Sequence, residues 1–206
     1  LLYGATLTEN ASEQKDIYTT ATKQYPNDYR AYNNLAVLAY QQGDLATAKS
    51  YLDKAEAIDG KSAEVNANKA LVALAEGKSA EAKDYLMKAT ASPNYNEVLG
   101  NLQVAAGNYA QAAQCLKGVN SNSAALAQLL NKDYAEASKT LGKVARPDAV
   151  TSYLKAIVAA RSGQDSSVLS NLKDAFAKDS SLKQRAAKDL EFATLFNDAT
   201  FQSLVK

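Results

Sequence analysis

The sequence contains no histidine and only one cysteine, Cys115. A lone cysteine cannot form an internal disulfide. Without histidine, the usual zinc sites and the Cys-His and Ser-His nucleophile pairs are excluded. The sequence also lacks a phosphate-binding loop and a glycine-rich dinucleotide fingerprint. We therefore expect no enzyme activity, no metal site and no cofactor, and we assign no catalytic residue.

An excess of charge of one sign is also lacking, because 23 Lys and Arg residues stand against 22 Asp and Glu residues. Such a balance argues against nucleic acid or an anionic membrane surface as a partner. The longest apolar run is far shorter than the roughly 20 residues that cross a bilayer. We therefore expect no nucleic-acid partner and no direct membrane insertion.

Proline and glycine are scarce, with 3 and 9 residues, whereas 47% of the residues are hydrophobic. The hydrophobic residues are largely Ala, Leu and Tyr, and β-branched residues are too thinly spread to build strands. This composition predicts an all-α fold.

Apolar residues at helical spacing mark a helical hairpin in residues 31–60. Its first helix has apolar residues at Tyr32, Leu35, Ala36 and Ala39 and breaks at Gly43. A second apolar stripe follows and stops at Asp59-Gly60; it consists of Leu45, Ala48, Tyr51, Leu52 and Ala55.

The hairpin pattern recurs along the chain. An offset of 34 residues takes Ala36 to Ala70, Gly43 to Gly77, Ala48 to Ala82, Leu52 to Leu86 and Ala55 to Ala89. A further copy contains Gly100, Gly107, Ala112 and Leu116, a degenerate copy around Tyr134 lacks the turn glycine, and a last copy contains Ala156, Gly163, Leu172 and Ala175. A hairpin cannot bury its apolar face alone, so the copies must stack.

The positions Tyr32, Leu35, Ala36, Gly43-Asp44, Ala48, Ala55 and Asp59 resemble the tetratricopeptide repeat pattern at its period. The resemblance implies a right-handed α-solenoid of stacked antiparallel helical hairpins. It is tight over residues 29–89, good to about residue 116 and looser to residue 180. Three residues depart from the pattern: Lys69 stands where a buried leucine is expected, Asn66 where an aromatic residue is usual, and Gly60 where proline is common.

We expect five to six hairpins and a closing segment. The predicted segments are a partial or capping N-terminal repeat at 1–28, repeats at 29–62 and 63–92, a related repeat at 93–120, a short degenerate repeat at 121–146, a repeat at 147–180 and capping helices at 181–206. Residues 1–7 would be the remnant of a first helix. Phe192, Phe196 and Phe201 are expected to close the stack, with ligand contact as the alternative.

The resemblance also implies that the first helices of the hairpins line a concave binding face. The residues predicted to bind a peptide there are Arg30, Asn33, Asn34, Val37, Tyr40, Asn68, Asn101 and Tyr153. Asn34 and Asn68 are equivalent residues one period apart, and an amide can donate to and accept from a peptide backbone. The alternative is an ordinary solvated polar face. Glu64 and Ala67 stand where a clamp for an acidic C-terminus needs basic residues.

Later repeats have an apolar equivalent face, formed by Leu126, Leu129, Leu130, Tyr153, Leu154 and Ile157 with Arg161 at its rim. One interpretation is a hydrophobic groove for a partner helix or peptide. The other is that tight winding or the C-terminal segment buries these residues.

The function we predict is a scaffold that binds a protein or peptide partner, without catalysis. The alternative is a structural spacer or assembly region of a larger bacterial cell-envelope protein. The richness in Ala, Asn, Gln, Ser and Thr favours a periplasmic or outer-membrane-associated setting, although the low cysteine content leaves the compartment open.

Overall fold

The computed structural model describes residues 2–5, 8 and 10–206, and this part of the chain is helical without any strand. The predicted first helix at 1–7 appears as a short helix, and residues 1, 6 and 7 lie outside the described residues. The helices are α1 Leu2–Ala5, α2 Ala11–Gln24, α3 Tyr29–Gln41, α4 Leu45–Ile58, α5 Ala63–Ala75, α6 Ser79–Met87, α7 Tyr95–Ala105, α8 Tyr109–Cys115, α9 Asn122–Leu130, α10 Tyr134–Gly142, α11 Ala149–Arg161, α12 Asp165–Lys178, α13 Leu182–Ala186, the 3₁₀ helix η1 Leu190–Leu195 and α14 Ala199–Leu204.

Short polar side chains start many of these helices by accepting hydrogen bonds from otherwise unpaired N–H groups of the first turn. Asp44 Oδ1 accepts from Thr47 N at 3.0 Å before α4. At α11 the arrangement is reciprocal, because Asp148 Oδ1 accepts from Thr151 N at 2.8 Å and Thr151 Oγ1 accepts from Asp148 N at 3.1 Å. The residues that separate the helices in the sequence thus fix where each helix begins.

The chain forms two compact units, unit 1 (Leu1–Ala106) and unit 2 (Gly107–Lys206). The boundary falls inside the predicted repeat 93–120. In unit 1, α3 packs with α4 and α5 packs with α6, while the first helices α3, α5 and α7 contact one another in order. The predicted all-α fold of stacked antiparallel helical hairpins is confirmed within the units.

Alanine allows the paired helices of unit 1 to approach closely. Ala36 and Ala48 are 1% and 0% exposed in the α3–α4 hairpin, and their equivalents Ala70 and Ala82 are 0% and 1% exposed in the next. Leu52 and Leu86 fill the space beside them. Small residues at the helix contacts and large ones between them give the packing density of a protein interior.

The turn between paired helices requires a left-handed residue. Gly43 has φ +77° between α3 and α4, a conformation that costs glycine little. The degenerate hairpin α9–α10, which lacks this glycine, makes the same turn with Lys132 at φ +66°. Both residues donate to the carbonyl three positions earlier, Gly43 N to Tyr40 O at 2.9 Å and Lys132 N to Leu129 O at 3.0 Å. The hairpin geometry is therefore kept at a cost in backbone strain.

Lys69 of α5 is buried in unit 1 and reaches two acidic side chains of α4. Lys69 is only 7% exposed. Its Nζ atom contacts Glu56 and lies 3.0 Å from Asp53 Oδ1. The Nζ atom also stands 5.0 Å from the centre of the Tyr85 ring on α6. Burial by itself lowers the pKa of Lys69, but the hydrogen bonds to Glu56 and Asp53 outweigh it and raise that pKa. This departure from the repeat pattern joins three helices through a charged contact.

Asn66 is the second departure, and its side chain fastens the α4–α5 loop. It is 1% exposed, and its Nδ2 donates to Ser62 O at 2.8 Å and to Gly60 O at 3.2 Å. A polar side chain thus occupies the usual aromatic position and donates from its amide group to two carbonyls of the loop.

The C-terminal aromatic residues of unit 2 form part of its core. Phe192 and Phe201 are 0% and 2% exposed, and their ring centroids are 6.2 Å apart. Phe196 is half-buried with its ring centroid 6.0 Å from that of Phe201. These contacts support the capping interpretation over ligand binding, because the two most buried rings have no surface to offer.

The apolar face of α11 is covered by the segment that contains η1. Tyr153 packs edge-on against Phe192 with ring centroids 5.6 Å apart. Arg161 donates from Nε and Nη2 to the two carboxylate oxygens of Glu191, at 2.8 and 2.5 Å. Leu154 and Ile157 are buried in the same core. Of the two interpretations of this face, the structure favours burial by the C-terminal segment.

Candidate functional site

The solvent-facing side chains of α3, α5 and α7 in unit 1 form a surface that we call the first-helix surface. Seven of the eight predicted peptide-binding residues lie on these helices: Arg30, Asn33, Asn34, Val37 and Tyr40 on α3, Asn68 on α5 and Asn101 on α7. The eighth, Tyr153, lies on α11 of unit 2.

Arg30 marks the N-terminal end of α3 and is held by Asp28. Its Nε donates to Asp28 Oδ1 at 2.9 Å and its Nη2 to Asp28 Oδ2 at 2.6 Å. These hydrogen bonds hold the pKa of Asp28 below its usual value. They also raise the pKa of Arg30, to which the negative charge of Glu64 adds a smaller contribution. Because Asp28 neutralises Arg30, the carboxylate of Glu64 leaves this end of the surface negative.

Asn33 and Asn68 join the neighbouring helices α3 and α5. Asn68 Nδ2 donates to Asn33 Oδ1 at 2.8 Å, and Asn33 is only 6% exposed whereas Asn68 is half-buried. The sequence period paired Asn34 with Asn68. The hydrogen bond instead joins Asn68 to Asn33, the residue before Asn34. Asn33 therefore orients the amide of Asn68 and has little surface for a ligand.

Asn34 and Asn101 have side-chain amides that form no hydrogen bond with any described residue. Both residues are half-buried, on α3 and α7. Each amide retains two donors and an acceptor that can meet a bound peptide. Rigid helices hold the Cα atoms, so the cost of ordering these short side chains on binding is small.

Val37 and Tyr40 extend the surface toward the C-terminal end of α3, and both are half-buried. Burial and the negative charge of Glu97 raise the pKa of the Tyr40 phenol. A phenol of α3 therefore lies within electrostatic reach of a carboxylate of α7. This end of the surface combines an apolar patch, a hydroxyl and a negative charge.

Tyr153 takes up a different role from the one predicted. It is 4% exposed, and its hydroxyl donates to Asp189 Oδ2 at 2.7 Å. Burial and this hydrogen bond raise the pKa of Tyr153. The predicted ligand contact is corrected to a structural one, because both the ring and the hydroxyl of Tyr153 are engaged by the C-terminal segment.

Basic residues are rare on the first-helix surface. Within α3, α5 and α7 they are Arg30, which Asp28 neutralises, and Lys69, which is buried against α4. A clamp for an acidic C-terminus needs several free cations on this face. The geometry therefore agrees with the sequence-based argument against that ligand.

The described residues include no group of three or more His, Cys, Asp or Glu side chains arranged to hold a metal ion. Among the helices of the described segments, none has the length and apolar character needed to span a bilayer. Cys115 on α8 is a free, half-buried cysteine.

Sequence reasoning missed the part that Asp28 takes in the site, although an acidic residue two positions before Arg30 is a recognisable helix-start signal. It also missed a cluster of lysines in unit 2, formed by Lys117, Lys139 and Lys143. No local pattern joins Lys117 to the other two, because a tertiary contact brings them together.

This fold defines a helical-hairpin repeat protein. Residues 17–50 and residues 63–94 each match a tetratricopeptide repeat model. The chain therefore contains tetratricopeptide repeats in these two segments. No curated protein matches it significantly in sequence.

Solved structures of other proteins share its fold. PilF of Pseudomonas aeruginosa is 19% identical with a TM-score of 0.55, over 94% of this chain and 92% of PilF. PilW, described as a widely conserved type IV pilus biogenesis factor, is 19% identical with a TM-score of 0.57, over 91% of each chain. A tetratricopeptide repeat protein of Parabacteroides merdae is 15% identical with a TM-score of 0.63, over 95% of this chain and 76% of that one. At these identities the likeness concerns the fold alone.

Proposed function

We propose that the first-helix surface of unit 1 binds an extended segment of a partner protein, and that the protein is a non-catalytic scaffold. The observation that carries the proposal is the pair of amides, Asn34 and Asn101, which have no hydrogen bond among the described residues. They flank Asn68, whose amide is already oriented by Asn33. A series of amides across neighbouring helices can pair with successive peptide groups of a ligand.

The spacing of the helices sets the length of the ligand. Neighbouring helices pack about 9 Å apart, so the axes of α3 and α7 are separated by roughly 20 Å when α5 lies between them. An extended chain covers about 3.3 Å per residue, and about six residues therefore span the surface.

The charge of the surface sets the preferred side chains. Glu64 and Glu97 contribute negative charge, while Arg30 is neutralised by Asp28. A ligand that carries Lys or Arg gains from this field, and an acidic one is repelled. Val37 and Tyr40 favour an apolar side chain beside the basic one. We therefore propose a neutral to basic peptide with at least one apolar residue.

The proposal is tested by selecting peptides of about ten residues from a displayed random library and measuring their affinity by fluorescence anisotropy. The variant Asn34→Ala with Asn101→Ala should weaken a selected peptide by about tenfold or more, because hydrogen bonds made in a partly desolvated site are lost. Asn96→Ala is the matched control. Asn96 is an exposed asparagine on α7, and it lies about 100° around the helix from Glu97, which belongs to the first-helix surface. Failure to select any peptide, or equal affinity for the double variant and the control, would contradict the proposal.

A second proposal is an assembly role in a bacterial cell envelope. Its motivation is the similarity to the pilus biogenesis factor PilW over nine tenths of both chains. Fractionation of the source cells tests it: recovery with the envelope fraction supports the role, and recovery only with cytosolic markers contradicts it.

A further inference from the structure

Unit 2 contains a cavity of about 280 Å³ between the loop that follows α8 and one face of α10. The loop contributes Lys117, Gly118 and Asn120, and α10 contributes Lys139, Thr140 and Lys143. Three lysines from two separate segments therefore surround one space. The volume lies just below the range of about 300–1,000 Å³ that is usual for small-ligand sites.

The cavity has an excess of positive charge. Lys117 and Lys143 form no ion pair with any described residue. Lys139 Nζ lies 3.5 Å from Glu136 Oε2, a long contact, and Glu136 is the acidic residue that lines the cavity. Three positive charges and one negative charge leave a net excess of two positive charges at the cavity. Like charges brought together in this way repel each other unless an anion lies between them.

The side chain of Thr140 also lines the cavity and supplies a hydroxyl group. Thr140 is 4% exposed, and its hydroxyl forms no hydrogen bond with the residues that the structure describes. The backbone N–H groups of Gly118 and Asn120, in the facing wall, also donate to no described residue. The cavity thus combines free donors with positive charge.

We propose that this cavity binds a phosphate monoester. Such a group carries about −1.5 to −2 charges at neutral pH and three acceptor oxygens, which match the excess of two positive charges and the unpaired Thr140 hydroxyl. A single carboxylate would leave half of the excess uncompensated. The phosphate can belong to a small phosphorylated molecule or to a phosphoserine of a peptide, and these two sources share the same recognition.

The site is tested by titrating the whole chain at low ionic strength, where salt screens the lysines least. The probes are phenyl phosphate and a neutral peptide with one phosphoserine, each compared with its unphosphorylated form. Lys139→Gln with Lys143→Gln should weaken phosphate binding by about tenfold or more, because charged hydrogen bonds are removed. Thr140→Val should weaken it by a factor of about five, since one hydroxyl donor is lost while the shape is kept.

Lys173→Gln is the matched control, because Lys173 is an exposed lysine of the same unit outside the cavity. Circular dichroism confirms that each variant is folded. Tight binding of phenyl phosphate supports a small-molecule source, and binding of only the phosphopeptide supports a protein source. The proposal is overturned if neither probe binds better than its unphosphorylated form, or if the double lysine variant binds as well as Lys173→Gln. The cavity lies in unit 2, so this outcome is independent of the peptide proposal for unit 1.

Discussion

Lys69 offers the sharpest test of how unit 1 is held together, because its role as a buried cation can be separated from its role as a packing residue. Its two carboxylate partners keep much of their hydration, with side-chain exposures of 55% for Asp53 and 36% for Glu56. The lysine keeps almost no hydration, because its side chain is only 7% exposed. The cost of breaking the contact therefore depends on which partner remains.

The change we consider is Lys69→Leu, which restores the residue expected by the repeat pattern. Leucine keeps most of the apolar packing of the lysine stem and needs no charged partner. The carboxylates that remain are partly exposed, and each loses an interaction of about 0–1 kcal/mol. Because the burial of a charge is also avoided, we expect the free energy of unfolding to be unchanged or to rise by up to about 2 kcal/mol.

The opposite change leaves the lysine without an anionic partner. Asp53→Asn combined with Glu56→Gln keeps the shapes but removes both negative charges beside a buried ammonium group. We expect this variant to lose about 3 kcal/mol, because an uncompensated buried charge is costly. Lys69→Ala should fall between them, with a loss of about 2 kcal/mol from the missing stem.

Urea denaturation followed by circular dichroism measures all three variants. Alkaline pH gives an independent check. Because the folded-state pKa of Lys69 is raised, its contribution is present below the unfolded value of about 10.4 and is lost as pH rises through the folded pKa. Wild type should lose more stability than Lys69→Leu above about pH 10.4. The reasoning is refuted if Lys69→Leu destabilises the protein more than the double carboxylate variant does.

Three further changes test other parts of the structure by the same denaturation assay. Lys132→Gly should stabilise by about 0.5–1 kcal/mol, because it relieves a positive φ at a residue with a side chain, and no gain would show that the turn carries no strain. Tyr153→Phe should cost about 1–2 kcal/mol through the lost hydrogen bond to Asp189, and a neutral result would mean that the C-terminal segment is not fastened there. Asp148→Asn should destabilise at neutral pH. The folded-state pKa of Asp148 is lowered, since hydrogen bonds from Thr151 and Asn122 outweigh the effect of burial. The difference from wild type should therefore vanish as pH falls below about 3.9 and through the folded pKa, and a difference that persists in acid would contradict this origin.

Local patterns predicted the hairpins well. The apolar spacing around Ala36 and Leu52, with a glycine between the stripes, is sufficient to define a helix, a turn and a returning helix, because both periodicity and turn chemistry are local. The degenerate hairpin was also found, although Lys132 had to adopt the backbone conformation of the missing glycine. The burial of Phe192 and Phe201 was also predictable, because the apolar face of the last hairpin must be covered.

The site was harder to predict, because its details depend on contacts between helices. A period of 34 residues pairs Asn34 with Asn68, whereas the structure pairs Asn68 with Asn33, since neighbouring helices meet along an edge that the period does not specify. Tyr153 was predicted on a ligand face because its cover, the segment around Asp189, lies 36 residues further along the chain. The cavity that includes Lys117 and Lys143 has the same origin in tertiary contact.

We propose above that the first-helix surface of unit 1 holds an extended, neutral to basic peptide. The most direct measurement is an NMR titration of the isotope-labelled chain with a selected peptide, following the side-chain amide signals of Asn34, Asn68 and Asn101. We predict that these three signals shift together and saturably, while the signal of the control residue Asn96 stays constant. Saturable shifts confined to unit 2, or to Asn96 and the second helices α4 and α6, would contradict the claim.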